Sequence, residues 1–437
     1  YLSFKHQTME RRKFIFDGSK VLISAFCIPD LIQAGTQNIG VVVEQITFGS
    51  DHHFFGYIGQ SLTIPWNKKG NRLICLSSPF HDHLPGKDEA ANVNLIHLDH
   101  KQKQAYKVEK LDESQGWNHQ QGTMFYWNPH QPNSQFFFND RDPKTGVVYT
   151  VLYDIKKRQR VKTYHYPQQS FGNSGVCPVG KYFLAINYAR MARLRPVTGY
   201  KDSFDWAADV PAPKDDGIAI IDIETGEKKM LLSFEQMAQG LERNGFDAKD
   251  RNLFINHTLW SRDGQWIYFF VRGGWKSDKD GREALNVACS IKVDGSQFIA
   301  GHQHIGGHPE WYQGTQIIGS SENRQVVYDI AQRKIVRTLG NAIVFPKPEG
   351  DISLSPDGKW LINGHNNKAG SNFYSIMHLE TGTWVKTPSF NTGIYKKDLR
   401  IDPAPRWNHQ NNQVLVSGLD ENGIRQLFVL LIDKPYI

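Results

Sequence analysis

The sequence predicts an all-β chain folded as a seven-bladed propeller, and three observations carry the prediction. A turn with Gly or Asn followed by a short apolar or aromatic run recurs along the chain. A strand–turn–strand half-unit follows most copies, at a spacing of about 45–60 residues. Helix signals are scarce.

The turn-and-run copies lie at 16–23, 66–76, 127–139, 178–184, 260–268, 311–319, 355–361 and 407–417. Their polar residues permit a tight reversal, and the β-prone run that follows makes a strand. The second half-units lie at 95–108, 148–164, 218–228, 287–299, 326–338, 374–386 and 427–433. Seven second halves give seven blades. The extra first half at 16–23 reads as an additional strand or as part of ring closure, with an eight-bladed ring as the alternative. Residues 1–437 form one propeller domain, with a loop and helix insertion around 200–250. Within it, 200–216 is rich in Asp, Pro and Lys, and 234–240 has helical spacing ending at a glycine.

With 12% aromatic and 39% hydrophobic residues, the 437-residue chain is globular rather than disordered. No segment has the apolar length of a membrane span. The net charge of +7 favours an acidic partner. The basic residues are spread out rather than run together, which argues against nucleic acid. Cys27, Cys75, Cys177 and Cys289 are widely spaced and form no CxxC, so they read as buried apolar residues. The chain opens on Tyr1-Leu2-Ser3 with no leader-like segment. A secreted or periplasmic monomer whose leader is not part of this sequence is the expectation.

Candidate chemistry concentrates in four stretches. His52-His53-Phe54-Phe55-Gly56-Tyr57 offers an acid/base imidazole, and strand alternation lets only one histidine face a channel, taken as His53. The run 117–127 adds His119, Gln121 and Tyr126. At 136–142, three phenylalanines bury a strand that ends in Asn139, Asp140 and Arg141, where a guanidinium can grip a carboxylate. The stretch 186–196 carries Tyr188, Arg190, Arg193 and Arg195, a set suited to a polyanion. Farther on, His257, Cys289, His302, His304 and His308 fall within about fifty residues, and a zinc or similar site on His257, Cys289 and His308 is expected. No GxSxG elbow, phosphate loop or dinucleotide fingerprint is present, and no organic cofactor is expected.

Taken together, His-His-Phe-Phe-Gly-Tyr at 52–57, Gln-Gly-Thr-Met-Phe-Tyr-Trp at 121–127, Phe-Phe-Asn-Asp-Arg at 137–141 and Asn-Tyr-Ala-Arg at 187–190 resemble the seven-bladed β-propeller polysaccharide lyases. Ulvan lyases are the nearer resemblance and oligogalacturonate lyases the more distant. The resemblance implies His53, Tyr126, Arg141 and Tyr188 as the catalytic set, and a structural zinc or other divalent metal. His119, Gln121, Asn139, Arg190 and Arg193 are expected to bind substrate. Some of these lyases carry a second histidine about twenty residues after the first, where this chain reads Leu73-Ile74-Cys75-Leu76; His119 is the candidate replacement. Oligogalacturonate lyases bind a metal through a Gln and several His, including a late His-Pro-His-Pro. Here that stretch reads Asp402-Pro403-Ala404-Pro405.

The expected function is cleavage of an acidic, uronate-containing polysaccharide by β-elimination. Arg141 would neutralise the uronate carboxylate, and His53 or Tyr126 would take the C5 proton. The alternatives are a propeller glycoside hydrolase acting at rhamnose–glucuronate linkages and a propeller that only binds partners.

Overall fold

Seven antiparallel sheets build the molecule, each a blade read from its inner strand outward. The computed structural model describes residues 14–16, 39–56, 62–98, 107–275, 281–367, 370–393 and 395–433. Tyr57, Cys27 and most of the 16–23 unit lie outside them.

Blade one comprises His52–Phe54, Arg72–Ser78, Ala91–His97 and Lys107–Ser114. Blade two comprises Tyr126–Trp127, Gln135–Arg141, Val148–Asp154 and Gln159–Tyr164. Blade three runs through Phe171–Val176, Tyr182–Asn187, Gly217–Asp222 and Lys228–Ser233, and blade four through Phe254–Trp260, Trp266–Gly273, Leu285–Lys292 and Ile299–His302. Gly306–Trp311, Gln316–Ser321, Arg324–Asp329 and Lys334–Leu339 make blade five. Blade six holds Asp351–Leu354, Trp360–Asn366, Ser371–His378 and Trp384–Lys386.

Blade seven closes the ring. Arg406–Trp407, Gln413–Leu419 and Arg425–Asp433 come from the C-terminal end, and Gly40–Gln45 and Phe14–Phe16 add its outer strands. The count is seven rather than eight, and of the 16–23 unit only Phe16 lies within the described residues. Pairing the two ends of the chain in one sheet covers edges that would otherwise be exposed.

The repeated tryptophans explain how the blades are joined. Four of them end an inner strand and donate the indole N–H to a carbonyl at the matching place in the preceding blade. Trp127 reaches Pro65 O at 2.9 Å, Trp260 reaches Gly175 O at 2.8 Å, Trp311 reaches Leu259 O at 2.8 Å and Trp407 reaches Ser353 O at 3.1 Å. One side chain thus fills the inter-blade gap and satisfies a buried carbonyl. Between third and fourth strands, Asp154, Asp222 and Asp329 each accept two backbone N–H groups of the turn.

Two α-helices occur among the described residues. Tyr188–Leu194 follows the second strand of blade three and is capped by Asn187. Phe234–Arg243 has a capping box built on Ser233 and Gln236. It extends the helix expected at 234–240 by three residues.

Strand succession decides where chemistry can collect. In an antiparallel blade, the starts of the first and third strands and the end of the second share one face. The loops 79–90, 188–216 and 395–405 open on that face.

Candidate functional site

His52 begins the inner strand of blade one, and His81 lies just beyond the end of its second strand. Their rings stand 5.5 Å apart. The ring of His119, on the loop into blade two, lies tilted against that of His81 at 4.2 Å. Tyr395, before blade seven, meets His81 edge-on at 4.4 Å and His52 at 6.1 Å. Arg425, first residue of the third strand of blade seven, completes the group. Its backbone N–H donates to His52 Nδ1 at 3.1 Å, and its guanidinium donates to His119 O at 2.9 Å and lies 4.8 Å over Phe54.

The hydrogen bonds fix the protonation of two rings. His81 Nε2 lies 3.0 Å from Leu399 O, and His119 Nε2 lies 2.8 Å from His83 O. A carbonyl only accepts, so both Nε2 atoms carry the proton. Both Nδ1 atoms are buried and have no hydrogen-bond partner among the described residues. Burial, with the Arg425 charge adding to it, depresses both imidazoles: His81 far below its ordinary range, His119 to about 3. Both rings are neutral at pH 7 and present a bare lone pair. Arg425 is 3% exposed, and burial lowers it to about 10.

Across the same face lies a second group. His257 and His308 sit 4.9 Å apart on the inner strands of blades four and five. Both adopt positive φ, 63° and 54°, where the strand register slips, so each bulge redirects its imidazole. His308 Nδ1 is 2.6 Å from Asp351 Oδ1, and Asp351 Oδ2 accepts from Ala404 N at 3.0 Å. Arg400 joins the two groups: its Nε meets Asp402 at 2.8 Å, and with the Gln120 amide turned to accept, both terminal nitrogens lie 2.8 Å from its oxygen. A cleft of about 420 Å³ opens here, lined by His308, Asp351, Arg400 and Asp402 with Lys347 and His365.

The residues singled out in the sequence separate. His53 Nδ1 donates to Gln426 Oε1 at 3.0 Å, and it is His52 that joins the cluster. Arg141 is engaged by backbone: its guanidinium donates to Lys201 O and Lys87 O, and to Gly86 O at 3.4 Å. It anchors the loop that carries His81. The Tyr126 phenol is buried and raised by desolvation. Tyr188 stacks on Tyr200 at 4.4 Å and donates to Asn173 O at 3.2 Å. Gln121, Tyr188 and His257 do meet, around one small internal void. Asn139 is enclosed between Asn173, Thr150 and Tyr200. Arg190 donates to the carbonyls of Leu253, Ala207, Val210 and Pro211, and Arg193 pairs with Asp205 at 3.0 Å. His119 alone of the expected substrate residues stands in the histidine cluster.

The expected metal set is corrected. Cys289 lies in the apolar core of blade four, its thiol raised to about 12 by burial, with its Sγ toward Val287 O. It is not beside His257 and His308. Among the described residues no group of three or more His, Cys, Asp or Glu is placed to hold a metal ion.

The comparisons come to rest on fold. No family model matches the chain, and no curated protein matches it. A solved structure of an oligogalacturonate lyase in complex with manganese superposes with a TM-score of 0.60 at 14% identity, over 91% of this chain and 95% of that one. This is a shared seven-bladed propeller. The Cps50 (Swd1) propeller domain of Myceliophteria thermophila gives 0.45 at 10% identity, over 89% and 98% of the two chains. A prolyl endopeptidase gives 0.48 at 10%, over 89% of this chain and 51% of its own.

Proposed function

We propose that the protein is a polysaccharide lyase that cleaves a uronate-containing, ulvan-type polymer by β-elimination. The observation that carries this reading is the pair of neutral imidazoles, His81 and His119, with bare Nδ1 atoms beside the buried guanidinium of Arg425. A proton alpha to a carboxylate is removed only when the carboxylate's charge is offset. Arg425 is the group placed to offset it, in the role the sequence assigned to Arg141. His81 or His119 Nδ1 takes the C5 proton, the electron pair forms the C4–C5 double bond, and the C4–O bond breaks. The Tyr395 hydroxyl, at the partly open edge of the cluster, returns a proton to the leaving oxygen. His52 sets the position of Arg425 through its backbone N–H. The likeness in fold to an oligogalacturonate lyase is in keeping with this chemistry. That neighbour was solved in complex with manganese; among the described residues here no group of three or more His, Cys, Asp or Glu is placed to hold a metal ion, and no step above uses a metal.

The test is incubation with ulvan-type and pectic polymers while following the ultraviolet absorbance of the unsaturated product. Absence of that absorbance on every uronate polymer would overturn the reading.

A second reading, a glycoside hydrolase, rests on Asp351 and Asp402 at the cleft. The two carboxyls are pushed apart: Asp402 is raised by burial and by the neighbouring Asp351, while His308 holds Asp351 low against the desolvation that opposes it. New reducing ends without an unsaturated product would select it.

A further inference from the structure

Arg195 follows the helix of blade three, and Arg272 lies near the end of the second strand of blade four. Both reach one neutral oxygen. Asn256 Oδ1, with its amide turned to satisfy all three donors, accepts from Arg195 Nη1 at 2.8 Å, Arg272 Nη1 at 2.9 Å and His257 Nε2 at 3.0 Å. Trp275 lies against both guanidiniums, 4.4 Å from Arg272 and 5.6 Å from Arg195. Arg272 Nε donates to Asn286 Oδ1 at 2.9 Å. Arg195 Nε is buried and has no hydrogen-bond partner among the described residues.

No carboxylate pairs with either guanidinium among the described residues. Burial lowers Arg272 to about 9 and Arg195 to about 10. The repulsion of Arg195 adds to the first shift and that of Arg400 to the second, against distant Asp402 and Asp398. One buried and one half-buried positive charge on one amide oxygen are costly unless an anion completes the arrangement. Guanidiniums match oxyanions in shape and charge. The aromatic wall supplies the apolar side that a sugar ring stacks on.

We propose that Arg195, Arg272 and Trp275 form an oxyanion-binding subsite for a carboxylate or sulfate ester on a sugar. That sugar neighbours the unit held at Arg425. Its belonging to a polysaccharide rests on the lyase reading; the binding of an oxyanion does not. The substrate is then a polymer with anionic groups on more than one unit of the stretch it lays across this face.

The first probe is inorganic sulfate, titrated against chloride at constant ionic strength. Sulfate is expected to raise the melting temperature of the wild-type chain and to shift its tryptophan fluorescence, since an anion bound only by the native state stabilises it. Arg272→Met and Arg195→Gln are each expected to weaken the response at least tenfold in sulfate concentration. Two variants keep the test open if one fails to fold. A wild-type response no larger than that to chloride, or an unchanged response in the variants, overturns the subsite.

Matched sulfated and desulfated uronate oligosaccharides then locate the anion. Affinity loss in the variants confined to the sulfated ligand assigns the ester. Equal loss for both assigns the carboxylate, and loss for neither overturns the proposal. Failure of the lyase reading appears separately, as missing unsaturated product with the sulfate response intact.

Discussion

The His81 and His119 rings stand 4.2 Å apart, and each is held by a proton donated from Nε2 to a backbone carbonyl. Their paired Nδ1 lone pairs follow from that geometry, since a ring locked as an Nε2–H tautomer has no proton on Nδ1. His81→Ala and His119→Ala are each expected to lower kcat by about 10²–10⁴-fold where the replaced ring is the base. The other should act mainly on KM. Steady-state kinetics on a uronate polymer distinguish them, and full activity in both variants would remove this pair from the mechanism.

Arg425 and Arg141 should respond in opposite ways. Arg425 is buried with no carboxylate paired to it among the described residues, so Arg425→Met removes a costly charge. It should lower kcat about a hundredfold or more while leaving the melting temperature level or higher. Arg141 ties Gly86, Lys87 and Lys201 carbonyls together. Arg141→Met strands those backbone acceptors and should lower stability by about 1–3 kcal/mol. It should also speed hydrogen exchange in the 80–90 loop. Loss of turnover in Arg141→Met with an unchanged loop would return the carboxylate role to Arg141.

The buried imidazoles set a pH dependence of stability. Burial depresses His119 to about 3 in the folded chain, against the ordinary imidazole value of 6.5 when unfolded. Between these values the unfolded state binds the proton and the native state does not. Stability therefore rises with pH through that window, by up to about 1.4 kcal/mol per pH unit for each such group. Above it the contribution is constant. Denaturant titrations across the window should show this slope, and His119→Asn should reduce it by one proton. An unchanged slope in the variant would mean that His119 is protonated in the native state.

The blade plan was legible because it is written locally. A tryptophan or apolar residue ending one strand, a turn, and a β-prone run recur within a few residues of each other. The histidine cluster was not. His52 and Arg425 are 373 positions apart and meet only because the ring closes. His81 sits in a loop with no motif around it. Arg425 opens a strand whose pattern reads simply as core. Choosing His53 over His52 turned on the face of one short strand, and alternation alone does not say which face meets blade seven. Arg141 looked like a ligand clamp because a strand-end guanidinium suits carboxylates and backbone carbonyls equally well.

The inter-blade indole bonds offer a test of what holds the ring. Trp66 and Trp260 are both fully buried at equivalent places in their blades. Trp260 Nε1 donates to Gly175 O at 2.8 Å, whereas Trp66 Nε1 has no acceptor among the described residues. Replacing either by Phe leaves a similar void. Only Trp260→Phe also removes an inter-blade hydrogen bond, worth about 0.5–1.5 kcal/mol. Trp66→Phe loses no such bond and removes an unsatisfied donor. Chemical denaturation should therefore find Trp260→Phe the less stable of the two by about that amount. Equal losses would mean that packing alone, without the hydrogen bond, joins blade four to blade three.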